Sequence, residues 1–173
     1  MGTTGMSTGE HLHLQLEKSG SPIDPTPYLE KVWGRPSQQK DNRFNVYYKA
    51  RTIGNKDYWG EVKNTQDYAG SLKSGKALDK IQIRVDHGDV YYKVKTQNSG
   101  WLSEVKNTND YAGLPGEPII GLMVRVTRGT VSYQVHTMGG KWEKYVGGYN
   151  EKDFQNGFAG INKPIDGVRI YIS

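Results

Sequence analysis

One pattern of residues occurs three times, in the same order, along this chain of 173 residues. No other feature restricts the fold as much. The first copy opens with Val46-Tyr47-Tyr48-Lys49-Ala50-Arg51-Thr52, and the second with Val90-Tyr91-Tyr92-Lys93-Val94-Lys95-Thr96. The third opens with Val131-Ser132-Tyr133-Gln134-Val135-His136-Thr137. An aromatic follows at Tyr58, Trp101 and Trp142, then a valine at Val62, Val105 and Val146. Lys63-Asn64-Thr65-Gln66-Asp67-Tyr68-Ala69-Gly70 is nearly identical to Lys106-Asn107-Thr108-Asn109-Asp110-Tyr111-Ala112-Gly113, while the third copy is longer and recovers the pattern at Phe158-Ala159-Gly160. Each unit closes on an apolar run: Ile81 to Val85, Leu122 to Val126, Val168 to Ile172. Order and spacing preserved together mark a repeat architecture.

The opening segments alternate, so Val46, Tyr48 and Ala50 are expected on one side of a strand and Tyr47, Lys49 and Arg51 on the other. The closing runs are rich in Val and Ile, which suit strands. Gly54-Asn55 and Asn98-Ser99-Gly100 punctuate the units as turns, and no segment keeps a helical period. A unit of about 40 residues cannot bury both faces alone, so three are expected to close around a common core. The expected fold is therefore all-β, with three pseudo-equivalent repeats (44–88, 89–129 and 130–173) forming a β-prism or a β-trefoil. Residues 34–43 read as a linker from their Gly, Pro and polar content.

The order Tyr-x-Val-x-Thr, Gly-x-Trp, Val, Ala-Gly and an apolar strand resembles the clostridial Trp-containing hydrophobic repeat. It also resembles the target-recognition domains of streptococcal and enterococcal bacteriolysins. The resemblance covers residues 44–173 and implies binding to bacterial peptidoglycan or to wall teichoic acid. Aromatic rings stack on sugar faces while amides and carboxylates hold hydroxyls and peptide groups. The candidate wall-binding residues are Tyr58, Trp59, Trp101 and Trp142, with Asp67, Tyr68, Asp110, Tyr111 and the outward Tyr47 and Tyr91. A recurrent aromatic in a threefold repeat is more often core than ligand platform, and both readings of Trp101 and Trp142 stand at this point. Tyr58 aligns with Trp101 and Trp142, whereas Trp59, the next residue, aligns with Leu102 and Glu143 and is expected to be the ring left for a ligand.

In residues 7–16, Leu12, Leu14 and Leu16 alternate with His11, His13 and Gln15, a strand pattern with both imidazoles on one face. Ser7-Thr8-Gly9-Glu10-His11-Leu12-His13, followed by Ile23-Asp24-Pro25 and Tyr28-Leu29, resembles the end of lysostaphin-type zinc metallopeptidase domains. By that resemblance His13 is a zinc ligand and His11 a catalytic histidine of a parent enzyme, with residues 1–33 the remnant of its catalytic domain. The family's upstream His-x-x-x-Asp ligands have no counterpart, and a catalytic zinc needs three protein ligands. Zinc is thus expected in the parent and no cofactor in this chain. The parent is expected to be a secreted endopeptidase that cuts peptidoglycan, with its export signal upstream of Met1.

The net charge of +5 favours polyanionic partners. Absence of Cys removes disulfides and thiolate metal sites, and no stretch approaches the ~18 apolar residues of a membrane span. With 12 Tyr against 3 Phe, many aromatics are expected half in water. A monomer without nucleic-acid or membrane partners is the expectation. The alternative from another class is a basic single-strand nucleic-acid-binding domain, since aromatics among Lys and Arg also suit that ligand, or a lectin-like β domain.

Overall fold

The computed structural model describes Leu16–Lys18, Ser21–Ile23 and residues 44–173. They belong to two compact units, Met1–Asn42 and Arg43–Ser173. In the first, β1 (Leu16–Lys18) pairs antiparallel with β2 (Ser21–Ile23). His11, His13 and the expected linker at 34–43 lie outside the described residues.

The second unit is all-β with antiparallel sheets, and no helix occurs among the described residues. Three long hairpins dominate it. Strand β3 (Val46–Thr52) pairs with β6 (Leu78–Val85), β7 (Val90–Thr96) with β10 (Ile119–Val126), and β11 (Val131–Thr137) with β12 (Ile165–Ile172). Short strands flank them: β4 (Val62–Lys63), β5 (Ala69–Gly70), β8 (Gly100–Trp101) and β9 (Val105–Lys106). Val62, Val105 and Val146 each lie opposite the third residue of an opening strand, at Tyr48, Tyr92 and Tyr133.

Alternation sets the core. Val46, Tyr48, Ala50 and Thr52 are buried while Tyr47, Lys49 and Arg51 are half-exposed, and β7 repeats the pattern residue for residue. Tyr48, Tyr92 and Tyr133 are fully buried among Ile81, Ile83, Leu122, Val124, Val168 and Ile170. A buried hydroxyl is costly unless it is paired. Each of these donates to a backbone carbonyl: Tyr48 to Asn64 at 2.5 Å, Tyr92 to Asn107 at 2.7 Å and Tyr133 to Gly148 at 2.5 Å. The rings fill the core, and their hydroxyls tie the turn after each valine to it.

The Ala-Gly steps join one unit to another. Ala112 bridges Ile81, Ala159 bridges Leu122, and Ala69 pairs with Val168, so each unit pairs with the closing strand of the unit before it and the first pairs with the third. A register shift marks every receiving strand, at Asp79, Ile120 and Asp166. Such a bulge re-aims the backbone, here bringing a carbonyl oxygen against the glycine. A Cβ on Gly113 would lie 2.0 Å from the Asp79 oxygen, on Gly70 2.2 Å from that of Asp166, and on Gly160 2.5 Å from that of Ile120. Their φ values of +130°, +123° and +129° also belong to glycine.

Candidate ligand-binding surface

Beside each of the first two Ala-Gly steps the chain leaves an open groove, in the same register of the repeat. The first, about 350 Å³, is lined by Trp59, Glu61, Lys63, Gln66, Asp67 and Tyr68 with the intervening backbone. The second, about 420 Å³, has Leu102, Glu104, Lys106, Asn109, Asp110 and Tyr111 in those positions, with Leu114 beyond. Asn64 and Asn107 shape the turn beneath, each at φ +50°. Their side-chain oxygens accept from the backbone N–H of Val46 and Val90 at 3.0 and 2.9 Å. Asn tolerates this left-handed region better than most residues. One carboxylate oxygen of Asp67, and likewise of Asp110, accepts from the next residue's N–H at 2.8 Å. The other oxygen has no partner among the described residues.

Three hydrogen bonds establish the register of the aromatics. The N–H groups of Trp59, Leu102 and Glu143 donate to the carbonyls of Ala50, Val94 and Val135 at 2.9, 3.0 and 2.9 Å. Trp59 is therefore aligned as expected and is 39% exposed. Its indole N–H points at the Thr52 hydroxyl, 3.4 Å away. Tyr58 is half-buried with the Lys49 ammonium 4.8 Å from its ring, and burial pushes its hydroxyl up to about 12.

Trp101 and Trp142 stand at junctions between units. Trp101 meets Phe158 edge-on, with centroids 5.2 Å apart. Trp142 meets Tyr68 at 5.9 Å and His136 at 5.3 Å. Trp59, Asp67 and Tyr68 are thus brought together in one groove and Asp110 with Tyr111 in the other, and Trp142 supports Tyr68 from behind. Trp101 reaches neither groove.

Tyr47 and Tyr91 lie under a cluster that sequence reading missed. The Arg84 guanidinium stacks 4.0 Å from the Tyr47 ring and forks onto Glu61 at 3.0 and 2.5 Å; Arg125 repeats this over Tyr91 with Glu104 at 3.0 and 2.7 Å. Lys63 and Lys106 approach the same rings at 5.8 and 5.6 Å. The bidentate pairs hold both glutamates below the usual carboxylate range. The signal was present in the sequence: Glu-Val-Lys recurs at 61–63 and 104–106, and an arginine recurs at the same place in two closing strands.

The extra segment of the third unit folds onto the second, with Glu151 paired to Lys93 and the Tyr149 hydroxyl donating to Glu104. Two buried acids are also matched. Asp79 takes a bidentate pair from Arg51 at 3.0 and 2.7 Å plus the Gly116 N–H at 2.8 Å, and Asp166 meets His136 Nδ1 at 2.6 Å. Among the described residues no three His, Cys, Asp or Glu side chains are grouped to hold a metal ion. No protein-family model matches the chain, and no solved structure matches it.

Proposed function

We propose that residues 44–173 are a closed β-prism of three repeats that binds the bacterial cell wall. In the parent protein it holds a secreted, peptidoglycan-cutting zinc endopeptidase at its substrate. The prism is favoured over the trefoil because each long hairpin gains a short partner on both edges, one from its own unit and one from the next. The observation that carries the function is the pair of grooves in equivalent register. Each offers an apolar side chain at one wall, a Tyr, and a carboxylate with a free acceptor oxygen. That combination suits a sugar or a short peptide, whose apolar face stacks while its hydroxyls or amides donate. Repetition adds avidity to weak sites.

The zinc belongs to the catalytic part of that parent, where His13 would be one ligand and His11 would serve beside it. The grooves do their work without it. Single-strand nucleic acid is disfavoured because Arg51, Arg84, Lys93, Lys106 and Arg125 are each paired with a carboxylate, which withdraws those five cations from phosphate contacts.

The test is co-sedimentation of the chain with purified walls, before and after removal of teichoic acid. Trp59→Ala should lower the bound fraction while leaving the melting midpoint in place. Undiminished binding by Trp59→Ala, or no sedimentation of the unaltered chain, overturns the reading.

A further inference from the structure

In the first two units one surface position is closed by its own side chains, and in the third it is not. The tetrad Tyr47–Arg84–Glu61–Lys63 and its equal Tyr91–Arg125–Glu104–Lys106 are internally paired. The strand registers place Ser132, Tyr171, Tyr145 and Gly147 at the corresponding positions of the third unit. Both Lys and Arg are gone, and so is the glutamate. A serine replaces the ring that lay underneath. In place of the ion pair, Tyr145 and Tyr171 meet edge-on with centroids 5.2 Å apart, and Tyr145 is 41% exposed.

A cation returns two residues along the same strand face. Arg169 lies opposite Gln134, where the first two units have Gln82 opposite Lys49 and Met123 opposite Lys93. Its guanidinium sits 4.4 Å from the Trp142 ring and close enough to Tyr145 to favour that phenol's ionised form, although burial outweighs it. Among the described residues Arg169 has no carboxylate partner. Its Nε is shut from solvent and has no hydrogen-bond partner among the described residues, so a ligand reaches the guanidinium through its terminal nitrogens. A planar guanidinium braced by an aromatic ring is preset to meet a carboxylate with its two terminal nitrogens.

We infer that the third unit carries a carboxylate-binding site distinct from the grooves. Arg169 holds the carboxylate, and the Tyr145–Tyr171 pair receives the apolar or sugar face that bears it. Two sources share this chemistry, a sugar acid and the C-terminus of a peptide. The site stands whether or not the grooves bind walls.

The full chain is titrated with glucuronate and with N-acetyl-alanyl-alanine, each beside its neutral counterpart, glucose and the C-terminal amide. The tyrosine ring resonances are followed by NMR. At least one carboxylate should shift the Tyr145 and Tyr171 signals saturably while its neutral counterpart does not. Response to glucuronate alone identifies a sugar acid, and response to the dipeptide alone identifies a peptide terminus. Arg169→Gln should weaken binding about tenfold or more, as expected for losing one charge-assisted pair. Because Arg169 also packs on Trp142, Tyr145→Ala is the second variant. It removes only an exposed ring and should weaken binding with its melting midpoint kept. Failure of both carboxylates to shift these rings overturns the site. So do equal shifts by the neutral probes, or unchanged affinity in Tyr145→Ala or in a folded Arg169→Gln.

Discussion

Two tryptophans show how a single position in the register decides a residue's duty. Trp59 follows the recurrent aromatic and faces solvent at 39% exposure, whereas Trp101 occupies the recurrent position and packs against Phe158 of the next unit. Trp101→Ala should therefore cost stability without being aimed at ligand. The ring is half-buried, so the loss should be about 2 kcal/mol, below the ~3–5 kcal/mol of a fully packed aromatic. Trp59→Ala should melt with the unaltered protein and lose wall binding. Thermal melts and sedimentation, run on both variants, check this. The tyrosines of the core make a second residue-scale prediction. Burial pushes the Tyr48 hydroxyl up to about 12, and it raises those of Tyr92 and Tyr133 as well. A phenol whose value is raised in the fold contributes stability that is full below its unfolded value of 10.0 and is lost as pH climbs through the folded one. Unfolding in alkali should begin above pH 10, with tyrosinate absorbance of the core rings appearing together with loss of β-sheet circular dichroism. Tyrosinate signal from all tyrosines before any loss of structure would contradict it.

Among the elements, the Ala-Gly step carries more weight than its length suggests. Two residues of β5, with Ala112 and Ala159 in the other units, make the hydrogen bonds by which each unit reaches the closing strand of the one before. The bulge and the glycine are mutually dependent: the bulged carbonyl takes the space a side chain would need. Gly113→Ala combines a contact of 2.0 Å with a φ of +130°. It should destabilise by on the order of 3 kcal/mol, read as a lower denaturant midpoint. Gly75→Ala has nothing within 4 Å at a φ of +65°. It should cost on the order of 1 kcal/mol, the left-handed backbone penalty alone, and the difference between the two is the clash together with the greater backbone strain at φ +130°. The Arg84–Glu61 and Arg125–Glu104 forks are exposed, and exposed pairs contribute little stability. Their effect is to set an arginine 4.0 Å from each of the Tyr47 and Tyr91 rings.

At the scale of the whole molecule, the pairings run from the first unit to the second, the second to the third, and the third back to the first, all within Val46–Ile172. Every repeat therefore depends on both others. A chain beginning at Arg43 should melt within a degree or two of the full chain, since it retains all those pairings; a large drop would show that residues 1–42 contribute to the fold. The three units also differ at the surface. The first keeps a groove with an exposed indole, the second keeps a groove walled by Leu102 and Leu114, and the third spends its extra segment on covering the second.

By itself the sequence determined the all-β character of the chain, its strands and their facing. The pleat has a period of two and needs only neighbouring residues to express it, so the burial of Val46, Tyr48 and Ala50 was legible, as was the placing of turns at glycine and asparagine. The alignment of Trp59 with Leu102 and Glu143 was legible for the same reason. Only the tertiary structure decided which strand each Ala-Gly step joins, that Trp101 and Trp142 stand at junctions, and that arginines cover Tyr47 and Tyr91. It also decided that Arg169 lies beside Trp142 without an acidic partner among the described residues. These are contacts between residues tens of positions apart. Local propensity is indifferent to them, and they exist only once the fold has brought one unit's loop against another unit's sheet.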